Sequence, residues 1–141
     1  MTETKNEKRE TSNERSGPLA GVRIIDLTTV VMGPFATQIL ADLGADVVKV
    51  EPPEGDVLRN IAPMKHPGMG HIFLHHNRNK RSIVLDLKLP SGRKALLQLA
   101  QGADVLIYNV RPQAMARLKL TYEDVRAVNA RIIYVGAYGY S

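Results

Sequence analysis

The stretch Val22–Glu51 restricts the fold more than any other part of the chain. It begins with a short apolar run rich in β-branched residues, which is typical of a buried strand. A glycine-proline pair breaks the run, and apolar residues then follow at helical spacing. Pro34 suits a first helical position, Gly44 suits the end of a helix, and Asp46–Glu51 is predicted as a second strand. Two apolar strands joined by one helix predict a βαβ unit that starts a parallel sheet.

Downstream of this unit, strand-like and helix-like patterns keep alternating. The sequence predicts further strands at Lys80–Leu87, Val105–Tyr108 and Ile132–Gly136. It predicts helices at Ile72–His76, Arg93–Gln101 with Ser91 as N-cap, Pro112–Leu118, and from a Thr121 cap to Val128. This order indicates an α/β fold, with a Rossmann-like, mostly parallel sheet and flanking helices. Because the chain stops five residues after the last strand, we expect an incomplete large domain and therefore a fragment.

Residues 1–16 differ in composition from the rest. After Met1 they hold no aliphatic or aromatic residue, and four acidic and four basic side chains cancel. Such a segment buries too little apolar surface to fold, so we predict a disordered polar tail followed by one domain at 17–141. The chain has no cysteine, no signal peptide and no apolar run near the roughly 20 residues that cross a bilayer. We therefore expect a cytoplasmic protein without a membrane partner.

The net charge of +5 lies in residues 17–141, which carry fifteen Lys or Arg against ten Asp or Glu. Six basic residues form a cluster, namely Arg78, Lys80, Arg81, Lys88, Arg93 and Lys94. A basic excess favours nucleic acid, phosphorylated cofactors or an acidic membrane surface. Nucleic acid is disfavoured, because two Phe, five Tyr and no Trp supply few platforms for base stacking. A solvated face beside a strand is the simpler interpretation of the cluster.

Two further patterns match known cofactor sites only in part. The turn after the first strand holds Gly33 alone of the G-x-G-x-x-G fingerprint, although Glu51 stands where NAD-binding folds place a ribose-binding acid. Close packing of helix on strand explains Gly33 equally well. His71 and His75 could share a helix face, but the glutamate of H-E-x-x-H is missing between them. We therefore expect neither NAD nor a metal.

The loop after Val105–Tyr108 offers two cations for a phosphate. Ligands of open α/β sheets bind at the carboxyl ends of strands, and arginine suits bidentate phosphate recognition. Arg111 and Arg117 could both reach such a ligand. The alternative is that each arginine merely covers the surface of its own helix.

Several segments, in order and with ordinary spacing, carry a family resemblance. They are PLAGVRIIDL, GPFATQILADLGADVVKVEPPEGD, NRNKRSIVLDLK, ADVLIYNVRPQAMARL and the stretch 129–141. Over residues 17–141 the chain resembles the N-terminal part of the class III CoA-transferases. That family includes formyl-CoA and carnitine CoA-transferases and the α-methylacyl-CoA racemases. The resemblance implies a Rossmann-like CoA-binding domain, acyl-CoA and a carboxylic acid as substrates, and an interlocked homodimer.

The resemblance also implies contacts to CoA, position by position. They are Val30, Val31 and Met32 in the first βα turn, Leu85 and Lys88 at the end of the middle strand, and Asn109, Arg111 and Arg117 after Val105–Tyr108. CoA carries a diphosphate and a 3′-phosphate, for which these cations would be partners beside an apolar cleft. Pro52 departs from the pattern, because some members place there an arginine that holds the adenine side.

The chemistry implied by the resemblance needs a residue that this chain does not contain. In the transferases an aspartate attacks the donor thioester, giving a mixed anhydride and then an aspartyl-CoA thioester, before CoA passes to the acceptor acid. That aspartate would lie beyond Ser141, as would the His/Asp pair of the racemases. The sequence therefore predicts a CoA-transferase fragment without its catalytic group. The alternatives are a racemase fragment, a non-catalytic CoA- or nucleotide-binding module, and a basic nucleic-acid-binding protein.

Overall fold

In the computed structural model, which describes residues 15–139, five strands form one parallel sheet. The strands are β1 (Arg23–Leu27), β2 (Asp46–Glu51), β3 (Arg81–Val84), β4 (Val105–Tyr108) and β5 (Ile133–Gly136). The helices are α1 (Met32–Asp42), α2 (His71–His76), α3 (Pro90–Gln101), α4 (Pro112–Arg117) and α5 (Tyr122–Arg126), and Val57–Asn60 forms a short 3₁₀ helix. The predicted α/β fold with a parallel sheet and flanking helices is confirmed.

The strand order β3-β2-β1-β4-β5 determines where a ligand can bind. After β3 the chain crosses to the other side of β1, so β1 has β2 on one side and β4 on the other. At such a switch in strand order, the loops after neighbouring strands diverge and leave a crevice at the carboxyl ends. The register places Asp26 of β1 opposite Lys49 of β2 and Ile107 of β4, so the three following loops begin at one level.

Three helices begin earlier than predicted, and α2 does so by one residue, at His71. Helix α1 starts at Met32, so Pro34 is its third residue and not its first. The first N–H groups of a helix have no partner within it, and proline is therefore accepted there too. Helix α3 starts at Pro90 and not after a Ser91 cap, because proline takes the first position. The predicted Thr121 cap of α5 is confirmed, since its hydroxyl and the Asp124 carboxylate form a reciprocal capping box.

The strand predicted in the middle of the chain lies at an edge of the sheet. Strand β3 pairs with β2 alone and is shorter than the predicted 80–87. All four of its residues are exposed. The last backbone contact runs from Leu85 N to Glu51 O at 2.9 Å, after which the chain leaves the sheet. Leu85 and Lys88 consequently lie in the loop that follows β3, and not at the end of a central strand.

The two faces of the sheet have different interiors. The face covered by α3, α4 and α5 is apolar, and its core includes Ile25, Leu27, Val50, Leu96, Leu106, Tyr108, Met115 and Val125. The opposite face, covered by α1 and α2, is apolar only in part, with Ile24 and Val47 packed on α1. Toward the carboxyl ends of β1 and β2 it carries Asp26, Lys49 and Glu51, which are at most 2% exposed. We call these the apolar face and the ionic face.

Residues 1–14 of the predicted disordered tail lie outside the described residues. Arg15, near the end of that segment, donates from Nη1 to the carbonyl oxygens of Ala45 at 2.9 Å and Asn79 at 3.0 Å. Within residues 15–139 no helix is both long enough and apolar enough to cross a membrane.

Candidate functional site

A small apolar cavity of about 200 Å³ lies at the carboxyl ends of β1, β2 and β3. Its walls come from the strand ends, from the loop after β3 and from α4 on the apolar face. They include Leu27, Val50, Leu85, Leu87, Val110, Met115 and Leu118, and the polar lining residues are Thr29, Glu51, Glu54, Asp86 and Lys88. The cavity borders the crevice that the strand order predicts, because Thr29 follows β1 and Val110 follows β4. Of the residues implied as CoA contacts, Leu85 and Lys88 line it.

An open groove of about 650 Å³ continues from the cavity between α3 and α4. The two spaces share Leu87, Lys88 and Leu118. Four cationic side chains line the groove, namely Lys88, Arg93, Arg117 and Lys119. The structure therefore brings Leu85, Lys88 and Arg117 together, as the resemblance implied, and adds two cations that the sequence analysis did not assign. An apolar cavity that opens into a cationic groove can bind a molecule with an apolar part and an anionic part.

The turn between β1 and α1 holds the next three implied contacts. Val30, Val31 and Met32 are 45%, 40% and 76% exposed, so their side chains are accessible to a ligand. Val30 has φ of 69°, a left-handed conformation that is strained for a β-branched residue. Gly33, which follows, lies against Thr28: a Cβ at Gly33 would be 2.4 Å from the Thr28 Cβ. Close packing of α1 on β1 therefore accounts for this glycine.

Asn109 fixes this turn to the loop after β4. Its side-chain Oδ1 accepts a hydrogen bond from Thr29 N at 3.0 Å, and its Nδ2 donates to Thr29 O at 2.9 Å. Both ends of the amide are thus engaged with the protein backbone. Asn109 and Met32 also line a third space of about 430 Å³, with Tyr138 on its far side. Asn109 is therefore well placed beside a ligand, but its amide holds the turn.

Arg111, like Val30 and Val31, lines none of the three spaces described above. It is the N-cap residue of α4 and is exposed. Across residues 15–139 its guanidinium has no hydrogen bond or ion pair. Its assignment as a CoA contact stays a prediction.

The ionic face holds a chain of buried charges that sequence reasoning missed. The Asp26 carboxylate accepts hydrogen bonds from Thr28 N at 2.8 Å, from the hydroxyls of Thr28 and Thr37 at 2.5 Å each, and from Lys80 Nζ at 2.9 Å. Burial would raise the pKa of Asp26, but Lys80, Lys49 and the two hydroxyls outweigh it, so the pKa is lowered. Asp26 is thus held as a carboxylate away from solvent.

Two further ion pairs continue this chain toward the loop after β2. Lys49 Nζ donates to Thr28 O at 2.8 Å and lies 3.0 Å from Asp56 Oδ2. Glu51 accepts from Arg59 Nε and Nη2, both at 2.6 Å, and the Arg59 guanidinium lies 3.8 Å from the centre of the Phe73 ring. Burial would raise the pKa of Glu51, but the hydrogen bonds from Arg59, Ser82 and the Asp56 amide lower it to about 2.

These contacts separate the basic cluster proposed from sequence. Lys80 is buried against Asp26, with 1% of its side chain exposed, while Arg78 pairs with Asp42 and Arg81 with Asp46. Lys88 and Arg93 lie across the molecule in the cationic groove. The cluster is therefore not one surface, and the interpretation as a single solvated face is wrong for Lys80. The histidines give no metal centre among residues 15–139, where no group of three or more potential ligands occurs.

The sequence does contain one sign of the ionic face: charged residues stand at alternate positions of strands that are otherwise apolar. Asp26 interrupts β1, and Lys49 and Glu51 interrupt β2, always on the same side of the strand. A buried strand that carries such residues must pair them, because an isolated buried charge is very unfavourable. That pattern predicts partners for these three charges but does not identify them.

Named relatives of the chain are CoA-transferases. The acetyl-CoA:oxalate CoA-transferase of Acetobacter aceti is 42% identical over 142 residues, covering 99% of this chain and 34% of that protein. The succinyl-CoA:glutarate CoA-transferase of Mus musculus is 44% identical over 124 residues, covering 87% of this chain and 28% of that protein. The chain thus spans about a third of the length of these relatives and corresponds to their N-terminal part.

Solved structures agree with these relatives. The crystal structure of Rv3272 from Mycobacterium tuberculosis matches with a TM-score of 0.83 and 39% identity, over 89% of this chain and 36% of that one. A CAIB/BAIF family protein from Brucella suis matches with a TM-score of 0.80 and 38% identity, over 85% of this chain and 33% of that one.

The family model for CoA-transferase family III matches residues 19–141, which include nearly all of the residues that the structure describes. The matched region includes all five strands, the apolar cavity and the cationic groove. The chain therefore belongs to CoA-transferase family III.

Proposed function

We propose that residues 17–141 provide the CoA-binding part of the large domain of a CoA-transferase that moves CoA between carboxylic acids. The observation that carries this proposal is the junction of the apolar cavity with the cationic groove at Lys88. CoA combines the same two characters, since its pantetheine and adenine present apolar surface and its phosphates are anionic. Lys88 and Arg117 bind the phosphates, while Leu85 contacts an uncharged part of the molecule.

The transfer itself proceeds through an aspartate located beyond Ser141. Its carboxylate attacks the donor thioester carbonyl and releases the CoA thiolate, giving a mixed anhydride. The thiolate then attacks the aspartyl carbonyl, which releases the donor acid and leaves an aspartyl-CoA thioester; the acceptor carboxylate takes over CoA by the reverse sequence. Asp26 is unsuited to this role, because it is 0% exposed and its oxygens are engaged by Lys80 and by the hydroxyls of Thr28 and Thr37. Transfer is favoured over racemisation, because the relatives described above are CoA-transferases.

Isothermal titration of the 141-residue chain with CoA tests the proposal. Lys88→Ala and Arg117→Ala should each weaken CoA binding by about tenfold, the effect of removing one charge-assisted hydrogen bond. Arg131→Ala is the matched control, because Arg131 is exposed at the opposite, amino-terminal end of the strands. CoA binding that is absent in the wild-type chain, or equal in all three variants, would contradict the proposal.

The intact enzyme forms an interlocked homodimer and is located in the cytoplasm. An absence of cysteine accords with a reducing compartment. The apolar stripe of Met32, Phe35 and Ile39 on α1, each more than 40% exposed, supports burial of this helix in a larger assembly. Sedimentation velocity of the full-length enzyme tests the dimer: a single species of monomer mass at micromolar concentration would exclude it.

A further inference from the structure

Of the four cationic side chains in the cationic groove, three have no hydrogen-bond or ion-pair partner among residues 15–139. Most arginines of the described chain are paired, including Arg15, Arg23, Arg59, Arg78, Arg81 and Arg126. In contrast, Lys88, Arg117 and Lys119 line the groove, and within residues 15–139 their side chains make no hydrogen bond or ion pair. These four cations face the single carboxylate of Asp124, and such an excess of like charge raises the local concentration of anions. The groove is therefore built for an anion.

Arg93 and Lys119 form a unit at the wall of this groove. Arg93 Nε donates to Lys119 O at 2.9 Å, which ties the end of α4 to α3. Lys119 has φ of 55° and its N–H donates to Ala116 O at 3.0 Å, so the backbone that carries its side chain is fixed. The Asp124 carboxylate faces Arg93 at 4.0 Å from Nη2, but its other oxygen accepts hydrogen bonds from Thr121. The Nη atoms of Arg93 thus remain available to a stronger acceptor.

The position of this unit distinguishes it from Lys88. Lys88 lines both the cavity and the groove, whereas Arg93, Arg117 and Lys119 line the groove alone. A ligand whose uncharged part occupies the cavity therefore meets Lys88 first and the Arg93–Lys119 unit further out. Two adjacent cations suit a phosphate monoester, because its oxygens carry close to two negative charges at neutral pH.

We propose that Arg93 and Lys119 form a subsite for a phosphate monoester, which in CoA is the 3′-phosphate. This inference rests on the proposed function, since it assigns one group of the CoA molecule to one part of the groove. The subsite makes the groove selective for CoA over a ligand that carries the diphosphate alone, because such a ligand leaves the Arg93–Lys119 unit unoccupied. Lys88 and Arg117 bind the remaining phosphates.

Titration with CoA and with dephospho-CoA, which lacks the 3′-phosphate, tests the subsite. The variant is Lys119→Asn, because asparagine tolerates the left-handed backbone of this position and carries no charge. The wild-type chain should bind CoA at least tenfold more tightly than dephospho-CoA. Lys119→Asn should weaken CoA binding by about tenfold and leave dephospho-CoA binding unchanged. Lys94→Ala, which removes an exposed charge outside the groove, is the control and should change neither affinity.

The outcomes separate this inference from the proposed function. Equal wild-type affinities for CoA and dephospho-CoA, or an equal loss for both ligands in Lys119→Asn, would overturn the subsite while CoA binding stands. A wild-type chain that binds neither ligand would overturn both. Arg93→Gln provides an independent check, because it removes the charge of the second member: a loss confined to CoA supports the subsite, and no loss contradicts it.

Discussion

The two faces of the sheet are stabilised by different kinds of interaction. On the apolar face, side chains such as Leu96 and Leu106 pack without any exposed area. On the ionic face, the carboxyl-terminal half is held by Asp26–Lys80, Lys49–Asp56 and Glu51–Arg59. Apolar packing is non-directional, whereas buried ion pairs require defined partners. The apolar face can therefore open a cavity for a ligand, while the ionic face fixes Thr28 and the turn that borders the site.

The largest effect should come from removing one charge of the ionic face. Lys80→Met leaves the Asp26 carboxylate buried without its cation and removes the hydrogen bonds from Lys80 Nζ to Pro34 O and Asn77 Oδ1. We expect a loss of about 3–5 kcal/mol in the free energy of unfolding. Urea denaturation followed by circular dichroism measures it.

Lys94→Met is the control for this change, since Lys94 is exposed, and it should stay within about 0.5 kcal/mol of wild type. Adding Asp26→Asn to Lys80→Met should restore part of the stability, because the buried carboxylate is then neutral. A Lys80→Met loss no larger than that of the control would contradict the role assigned to the pair.

Truncation on the apolar face should have a somewhat smaller effect with a different signature. Leu96→Ala removes a side chain with 0% exposure and leaves a cavity under α3, which should lower the free energy of unfolding by about 3 kcal/mol. Because no charge is involved, the difference from wild type should be the same at low and at high salt. A strong salt dependence of this difference would show that the faces are not independent.

Acid should weaken the ionic face selectively. The folded-state pKa of Glu51 is about 2 and its ordinary value is 4.5, so its contribution is complete above pH 4.5 and is lost as the pH falls toward 2. The shift corresponds to about 3 kcal/mol at most. Wild type and Glu51→Gln should therefore differ in stability at pH 6 and converge near pH 2, measured as unfolding midpoints in urea. If the difference in unfolding midpoint between the two proteins stayed constant from pH 6 to pH 2, a lowered pKa of Glu51 would be excluded.

The smallest effect is expected at Val30, in the turn between β1 and α1. Val30→Gly removes a β-branched side chain from a left-handed position, which relieves strain, but it also makes the unfolded chain more flexible. The net effect should be a gain of about 1 kcal/mol in the free energy of unfolding. If Val30 contacts CoA, the same variant should bind CoA more weakly while melting at a higher temperature. A lower melting temperature would show that Val30 is not strained. Unchanged CoA binding would remove Val30 from the site.

The sequence predicts the parts of the fold that depend on neighbours along the chain. Strands such as Val105–Tyr108 and the Thr121 cap follow from local composition and spacing, and both are confirmed. The ionic face was missed because its pairs join distant positions: Asp26 and Lys80 are 54 residues apart. Lys80 looked like one member of a basic cluster, since nothing nearby in sequence shows that it points inward.

The residues of the candidate site also fall into two groups, those that the sequence indicated and those that only the structure shows. The family resemblance implied Lys88 and Arg117 as CoA contacts, and both line the cationic groove. It could not identify Arg93 and Lys119, which join that groove only because α3 and the end of α4 meet across the loop after β3. The resemblance gave Asn109 as a CoA contact, which stays a prediction, but it could not show that the Asn109 amide bonds to Thr29, 80 residues away. Roles that depend on sheet register were not visible in local patterns.

The Asn109–Thr29 contact also dictates an order of assembly. The βαβ unit of β1, α1 and β2 can form early, since its parts are close in sequence. The turn that follows β1 gains its two side-chain hydrogen bonds only when Asn109 arrives at the end of β4. During synthesis the turn after the first strand therefore cannot form these two hydrogen bonds until the fourth strand has been made. A nascent chain that ends before Asn109 already contains Val30 to Met32, but it lacks the two hydrogen bonds from Asn109 that fix the backbone of this turn at Thr29.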